Sequence, residues 1–235
     1  MRIAILMTNT DESAFAQRHP KDGQKWQTLI GAKRPDWKFT VFSVKDDEFP
    51  QSPSEFDGWI VTGSPASVHD NAGWIVKLLD LIQRLEDARV PMFGACFGHQ
   101  AIAMALGGQV DQNPDGWVFG STEVEVCSHM PWLEVKRFWQ YGAHIEQVTA
   151  LPDGAQVVFR HAGCPIGGFV VGDHIFTTQN HPEMSHDFIA ALIEELADDK
   201  PAAVIDAARK SLPKSADNGM FADWIVRFFE HDRSA

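Results

Sequence analysis

Apolar positions along this chain follow two rhythms. "RIAILM" (2–7) reads as a buried strand, and "KFTVFSV" (38–44) alternates with a period of two. "FDGWIVTG" (56–63) is a third strand that ends at Gly63-Ser64-Pro65. The spacing then changes to three and four. In "WIVKLLDLIQRLEDA" (74–88), Ile75, Leu78, Leu79, Ile82 and Leu85 predict an amphipathic helix, with Asp70 or Asn71 as its cap. "VPMFGA" (90–95) is short and wholly apolar, like a central strand of a parallel sheet. "HQAIAMALGG" (99–108) is a helix stopped by Gly107-Gly108.

Strand–helix alternation over the first ~110 residues predicts an α/β fold: a mostly parallel central sheet with helices on both faces. Between 120 and 180 the pattern turns to strands: "STEVEV" (121–126), "AQVVF" (155–159) and "GGFVVGDHIFTTQ" (167–179). Gly172-Asp173 has the form of a two-residue hairpin turn. Helices return at 185–199, 201–212 and 216–232. No repeat, low-complexity tract or long linker interrupts the chain. The expected division is one domain over 1–199 and a helical C-terminal extension over 200–235.

Charge narrows the partners. Twenty Lys and Arg face 32 Asp and Glu, a formal net charge of −12 in 235 residues. Nucleic-acid affinity comes from neutralising phosphates with cations, so no nucleic-acid partner is expected. Anionic membrane surfaces are disfavoured for the same reason. No apolar run approaches the ~18 residues of a membrane span, and "MRIAILMTNT" is too poor in apolar residues for a secretory leader. The expectation is a cytoplasmic protein. Its three cysteines, Cys96, Cys127 and Cys164, make no disulfide framework and no C-x-x-C pair, so they are expected to be free thiols with no metal.

Cys96 lies in "PMFGACFGHQ" (91–100), between a strand and a helix. Either it is a small buried hydrophobe beside a glycine turn, or it is a nucleophile on a sharp elbow. G-x-[Ser/Cys]-x-G suits the elbow, because small neighbours are needed where the backbones crowd. A cysteine there also sits at a helix N-terminus, which favours the reactive thiolate. A thiolate nucleophile works with a histidine oriented by a carboxylate. "TTQNHPEM" (177–184) offers His181 and Glu183, two residues apart just past a strand; in extended backbone they would point the same way. Charge developing on a carbonyl oxygen needs N–H donors. Phe97 offers one at the elbow. Ser64 offers another in "VTGSPAS", where Gly63 would permit an unusual backbone conformation and Pro65 removes the next donor.

"GACFGHQAIAMALGG", "TGSP" and "HPE", in this order, resemble the class I (triad-type) glutamine amidotransferases, above all the amidotransferase domain of GMP synthase and its free-standing relatives. The likeness covers roughly residues 1 to 195. It implies a flavodoxin-like fold in which Cys96 attacks the carboxamide of glutamine, His181 is general base and acid, and Glu183 orients it. It also implies Ser64 and Phe97 as the oxyanion hole, and Gly63, Gln100 and His144 as substrate contacts. "YGAHIEQV" (141–148) looks like the family's His-x-Asp loop, with Glu146 for Asp. Val118 stands where relatives often carry Glu, and Trp117 beside it is a pocket candidate. No cofactor is implied. The chain has neither a P-loop nor an S-G-G-x-D-S loop, so only the glutaminase half is expected. Three uses stay open: ammonia supply to a separate synthase subunit, with glutamine as substrate; independent hydrolysis of γ-glutamyl small molecules; and a non-catalytic binding module.

Overall fold

A computed structural model describes residues 1–231. Residue 232, at the end of the last expected helix, and 233–235 of the expected extension lie outside the described residues.

The first half alternates as expected. β1 (Arg2–Met7) is followed by α1 (Ala14–Gln17), α2 (Asp22–Gly31) and β2 (Lys38–Ser43). Then come β3 (Gly58–Val61), α3 (Gly73–Asp87), β4 (Met92–Ala95) and α4 (Phe97–Ala105). The second half holds β5 (Gln109–Gln112), β6 (Val118–Val126), β7 (Arg137–His144), β8 (Glu146–Ala150), β9 (Ala155–His161), β10 (Cys164–Val171) and β11 (Ile175–Thr178). It closes with α5 (His186–Glu195), α6 (Ala202–Ser211) and α7 (Asn218–Glu230).

One nine-stranded sheet runs β2-β1-β3-β4-β11-β10-β9-β6-β7. The strands from β2 to β11 are parallel to their neighbours. From β11 onward the pairing is antiparallel. β5 and β8 form a separate antiparallel pair. The fold is α/β, and the period-two pleat sorts its core into two layers. Ile3, Ile5, Ile60, Phe93, Ala95 and Phe176 face one side and pack with Trp26 and Ile30 of α2 and Phe221, Trp224 and Phe228 of α7. Ala4, Leu6, Trp59, Val61, Met92 and Ile175 face the other and meet α3 and α4. α5 and α6 form a third cluster with Tyr141 of β7. No described helix is long and apolar enough to cross a membrane.

Several local expectations change. Leu81 rather than Leu79 is buried on α3, whose periodicity is otherwise as read. Its N-cap is Ala72, with no side-chain bond; the Asp70 carboxylate accepts the Ser67 N–H instead. The β10–β11 turn holds three residues, since Val171 pairs with Ile175, and Gly172 takes φ +53°. The 141–148 segment is the junction of β7 and β8 rather than a loop.

Candidate active site

Three neighbouring parallel strands converge. Val61 of β3 pairs with Gly94 of β4, and Ala95 of β4 pairs with Thr178 of β11. Gly63, Cys96 and His181 therefore all lie just past the carboxyl ends of adjacent strands, where open α/β sheets bind ligands.

Cys96 is the elbow. It takes φ +50° and ψ −110°, its N–H donates to Thr178 O at 2.9 Å, and its own carbonyl accepts the Gln100 N–H at 3.0 Å. The flanking glycines allow this by close approach. A Cβ on Gly98 would stand 2.2 Å from Val61 O, and one on Gly94 would stand 2.8 Å from the Gly98 carbonyl. The residue is 5% exposed, at the N-terminus of α4.

His181 and Glu183 meet, though in a turn rather than in extended backbone. His181 Nδ1 lies 2.7 Å from Glu183 Oε1, and both residues are buried. The carboxylate can only accept, so Nδ1 carries the proton and Nε2 is left free for the neighbouring Cys96. Burial alone would push the His181 pKa down. The adjacent Cys96 and Glu183 charges, with their hydrogen bonds, outweigh it and hold the imidazole well above its ordinary value.

The β3–β4 side of the site differs in reason from the expectation. Neither Gly63 nor Ser64 has positive φ. Gly63 matters for space: a Cβ there would stand 2.7 Å from His181 Cε1 and 3.5 Å from Cys96 Cβ. The Ser64 hydroxyl accepts the Ala66 N–H at 3.1 Å, closing a turn, which keeps it occupied within its own loop. Phe97 follows Cys96 directly, with its ring buried against Trp74.

A cleft of about 500 Å³ opens over Cys96. Gly63, Ser64, Gln100, His144 and His181 line it. The Gln100 amide donates to Glu146 O at 2.8 Å and so ties α4 to β8. His144 is buried, and burial depresses its pKa to about 3, so it stands neutral. Its Nδ1 bonds Glu146 O at 3.1 Å. The Glu146 carboxylate accepts from the Ser67 hydroxyl at 2.9 Å. Trp117 is in the wall as expected, with the Lys200 ammonium 3.9 Å from its ring centroid. Lys25, Lys45 and Lys200 line the cleft too. Sequence reading missed them, because each reaches the cleft from a segment with no motif of its own.

The family model "Glutamine amidotransferase class-I" matches residues 31–193. The chain belongs to this family. Gamma-glutamyl peptidase 3 of Arabidopsis thaliana is 25% identical over 205 residues, which are 83% of this chain and 82% of that protein. A GMP synthase (glutamine-hydrolyzing) of Mycobacterium bovis is 37% identical over 131 residues, 54% of this chain but 23% of that protein. Among solved structures, a glutamine amidotransferase of Thermotoga maritima superposes with a TM-score of 0.76 at 20% identity, covering 98% of both chains, a likeness of fold. This class I amidotransferase chain thus has relatives labelled both as peptidases and as synthases.

Proposed function

We propose that this protein hydrolyses a γ-glutamyl amide bond through a thioester on Cys96, with an amino acid or peptide as the leaving amine. The chemistry rests on one observation: Cys96, strained at the head of a helix, stands beside an imidazole that Glu183 grips at 2.7 Å. The Cys96 thiolate attacks the γ-carbonyl carbon. The carbonyl oxygen takes the negative charge and is met by the N–H groups of Ser64 and Phe97. The C–N bond then breaks, and imidazolium His181 gives its proton to the departing nitrogen. Water enters, His181 takes its proton, and hydroxide attacks the thioester; glutamate leaves and the thiol is restored. Glu183 holds Nδ1–H throughout, so that Nε2 always faces the reaction.

The leaving group is argued from the cleft. The family resemblance ranks glutamine first, but the triad chemistry is indifferent to most of the leaving amine. A donor of ammonia needs the space beyond the scissile nitrogen sealed. Here about 500 Å³ is lined by residues as far apart as Cys96 and Lys200, a volume of the class (~300–1,000 Å³) that takes ligands larger than glutamine. The peptidase relative matched along most of its length supports the same choice. Cys96→Ala should abolish turnover of γ-glutamyl dipeptides while leaving the circular dichroism spectrum unchanged, and Glu183→Gln should lower kcat about 10²–10⁴-fold. Turnover surviving in Cys96→Ala, or a glutamine-analogue alkylator that labels Cys127 or Cys164 instead, would refute the assignment.

A further inference from the structure

Behind the cleft, three soft donors meet where the sequence shows no C-x-x-C. His161 ends β9 and Cys164 begins β10; the two face each other across the strand pair, separated by Ala162 and Gly163, the latter at φ +76°. Directly opposed residues of an antiparallel pair present their side chains on one face. The spacing is H-x-x-C closed by a tight turn. His144 reaches the pair from the end of β7. β6 aligns His144 with Val118 and His161 with Val124, six positions apart, yet the two rings are only 5.9 Å apart. β6 therefore curls, and Gly120 at φ +96° lies between those positions.

One donor atom from each of His144, His161 and Cys164 lies within 4.8 Å of the others, and all three residues are buried. The imidazoles are already oriented. His144 Nδ1 is 3.1 Å from Glu146 O, and His161 Nδ1 is 3.1 Å from Ala162 O. A carbonyl oxygen can only accept, so each Nδ1 carries the hydrogen and each Nε2 presents a bare lone pair. Both Nε2 atoms are buried without a hydrogen-bond partner. Two unsatisfied acceptors so close together are costly in an apolar setting. A carbonyl oxygen accepting from Nδ1, with Nε2 free, is how metal-ligating histidines are held. We propose that His144, His161 and Cys164 bind one thiophilic metal ion, best matched to Zn²⁺, with a fourth position left to water.

Bond lengths of about 2.0–2.3 Å put tetrahedral ligand atoms ~3.5 Å apart, so binding would draw the donors inward by about 1 Å. Thiolate with imidazole donors selects zinc or cuprous copper over magnesium or calcium. Cys164 enters as a thiol and leaves its proton to solvent, so one proton is released per ion bound. Affinity therefore rises with pH. No step of the hydrolysis enters this proposal, and the two sites share one residue, His144, which also lines the cleft.

Cys96 beside His181 could itself take zinc, and Cys127 is exposed. The test therefore uses the full chain carrying Cys96→Ala and Cys127→Ser, with Cys164 its sole thiol. Titrated with Zn²⁺, it should bind one equivalent, and with Co²⁺ it should show thiolate-to-cobalt charge-transfer absorption. Adding Cys164→Ser should abolish that absorption, and adding His161→Gln should weaken Zn²⁺ binding at least 10-fold. Less than about 0.2 equivalents of Zn²⁺ on the sole-thiol chain, or no charge-transfer band, would overturn the proposal. So would an unchanged Zn²⁺ affinity in the His161→Gln chain, which covers the case where Cys164→Ser fails to fold.

Discussion

At the scale of single residues, two glycines near Cys96 do different work, and substitution separates them. Gly98 faces backbone: its added Cβ would stand 2.2 Å from Val61 O and 2.8 Å from Val61 C. Neither atom can move without shifting β3, so Gly98→Ala should unfold the protein or lower its melting temperature sharply. Gly63 faces the imidazole, with its added Cβ 2.7 Å from His181 Cε1. A ring can swing where a strand cannot. Gly63→Ala should therefore fold and lose activity, with kcat reduced at least 10-fold, because a displaced imidazole no longer lines up with both Cys96 and Glu183. Thermal melts and kcat measured on both variants check the contrast. A Gly63→Ala enzyme with full kcat would mean that the loop gives way, and that His181 is not confined by it. Cys96 carries its strain at φ +50° between these two glycines, a conformation costing of order 1–3 kcal/mol that the surrounding packing must hold.

At the scale of elements, the parallel half of the sheet was readable because each strand carries a dense apolar signal with its helix close behind. β1, β3, β4, α3 and α4 stand where the pattern puts them. The elbow was legible for a related reason: close backbone approach leaves a glycine signature. Other elements left weak traces. In α2, the buried side is made by Asp22, Gly23, Trp26 and Ile30, a face too mixed to announce a helix. β7 and β8 meet at a single residue, Ile145, with no Gly or Pro to mark the break. The three-donor cluster left no trace in the sequence, because one of its donors, His144, joins His161 and Cys164 only through the curl of β6. α7 was readable as a helix, but its burial was not. Phe221, Trp224 and Phe228 are fully buried against Phe93, Phe159 and Phe176. Removing a ring there leaves a cavity, so Phe221→Ala should cost about 3–5 kcal/mol in urea unfolding. A loss below ~1 kcal/mol would mean that α7 is only loosely docked. α4 adds a pH dependence. His99 is fully buried on it, with Nδ1 2.9 Å from Thr177 Oγ1. Burial depresses its pKa to about 3. The unfolded chain binds that proton near the ordinary ~6.5, so the stability from His99 is present above 6.5 and is lost as pH falls toward 3. At pH 5 the loss is about 1.5 pH units at ~1.4 kcal/mol each, or ~2 kcal/mol. His99→Gln should lose about 2 kcal/mol less than the parent between pH 7 and pH 5 in urea titrations; equal losses would refute this.

At the scale of the whole molecule, the sheet's switch from parallel to antiparallel decides what the site can accept. The parallel strands bring Gly63, Cys96 and His181 together at one end, while the strands beyond β11 and the segment before α6 build the far wall of the cleft. Trp117, just before β6, and Lys200, just before α6, meet there at 3.9 Å. A cation over an aromatic face gains about 0.5–1 kcal/mol at an exposed site, enough to hold the ammonium at the rim. A leaving amino acid carries a carboxylate; ammonia does not. If the far wall reads that carboxylate, Lys200→Ala should raise KM for γ-glutamyl dipeptides about 5–10-fold and leave KM for glutamine unchanged. The parent enzyme should prefer dipeptides to glutamine by at least 10-fold in kcat/KM, about 1.4 kcal/mol of transition-state discrimination. The two measurements fail differently. Equal rates for glutamine and dipeptides would return the reading to a glutaminase and leave the Cys96 chemistry intact. A dipeptide preference that Lys200→Ala does not touch would keep the peptidase reading and move carboxylate recognition to Lys21, Lys25 or Lys45, which also line that cleft. Lys45 is held by Glu12 at 2.7 Å and Lys25 by Asp22 at 2.8 Å. Each would have to leave a carboxylate it already has, so Lys200, held over the Trp117 ring, is better placed than either to take a new one.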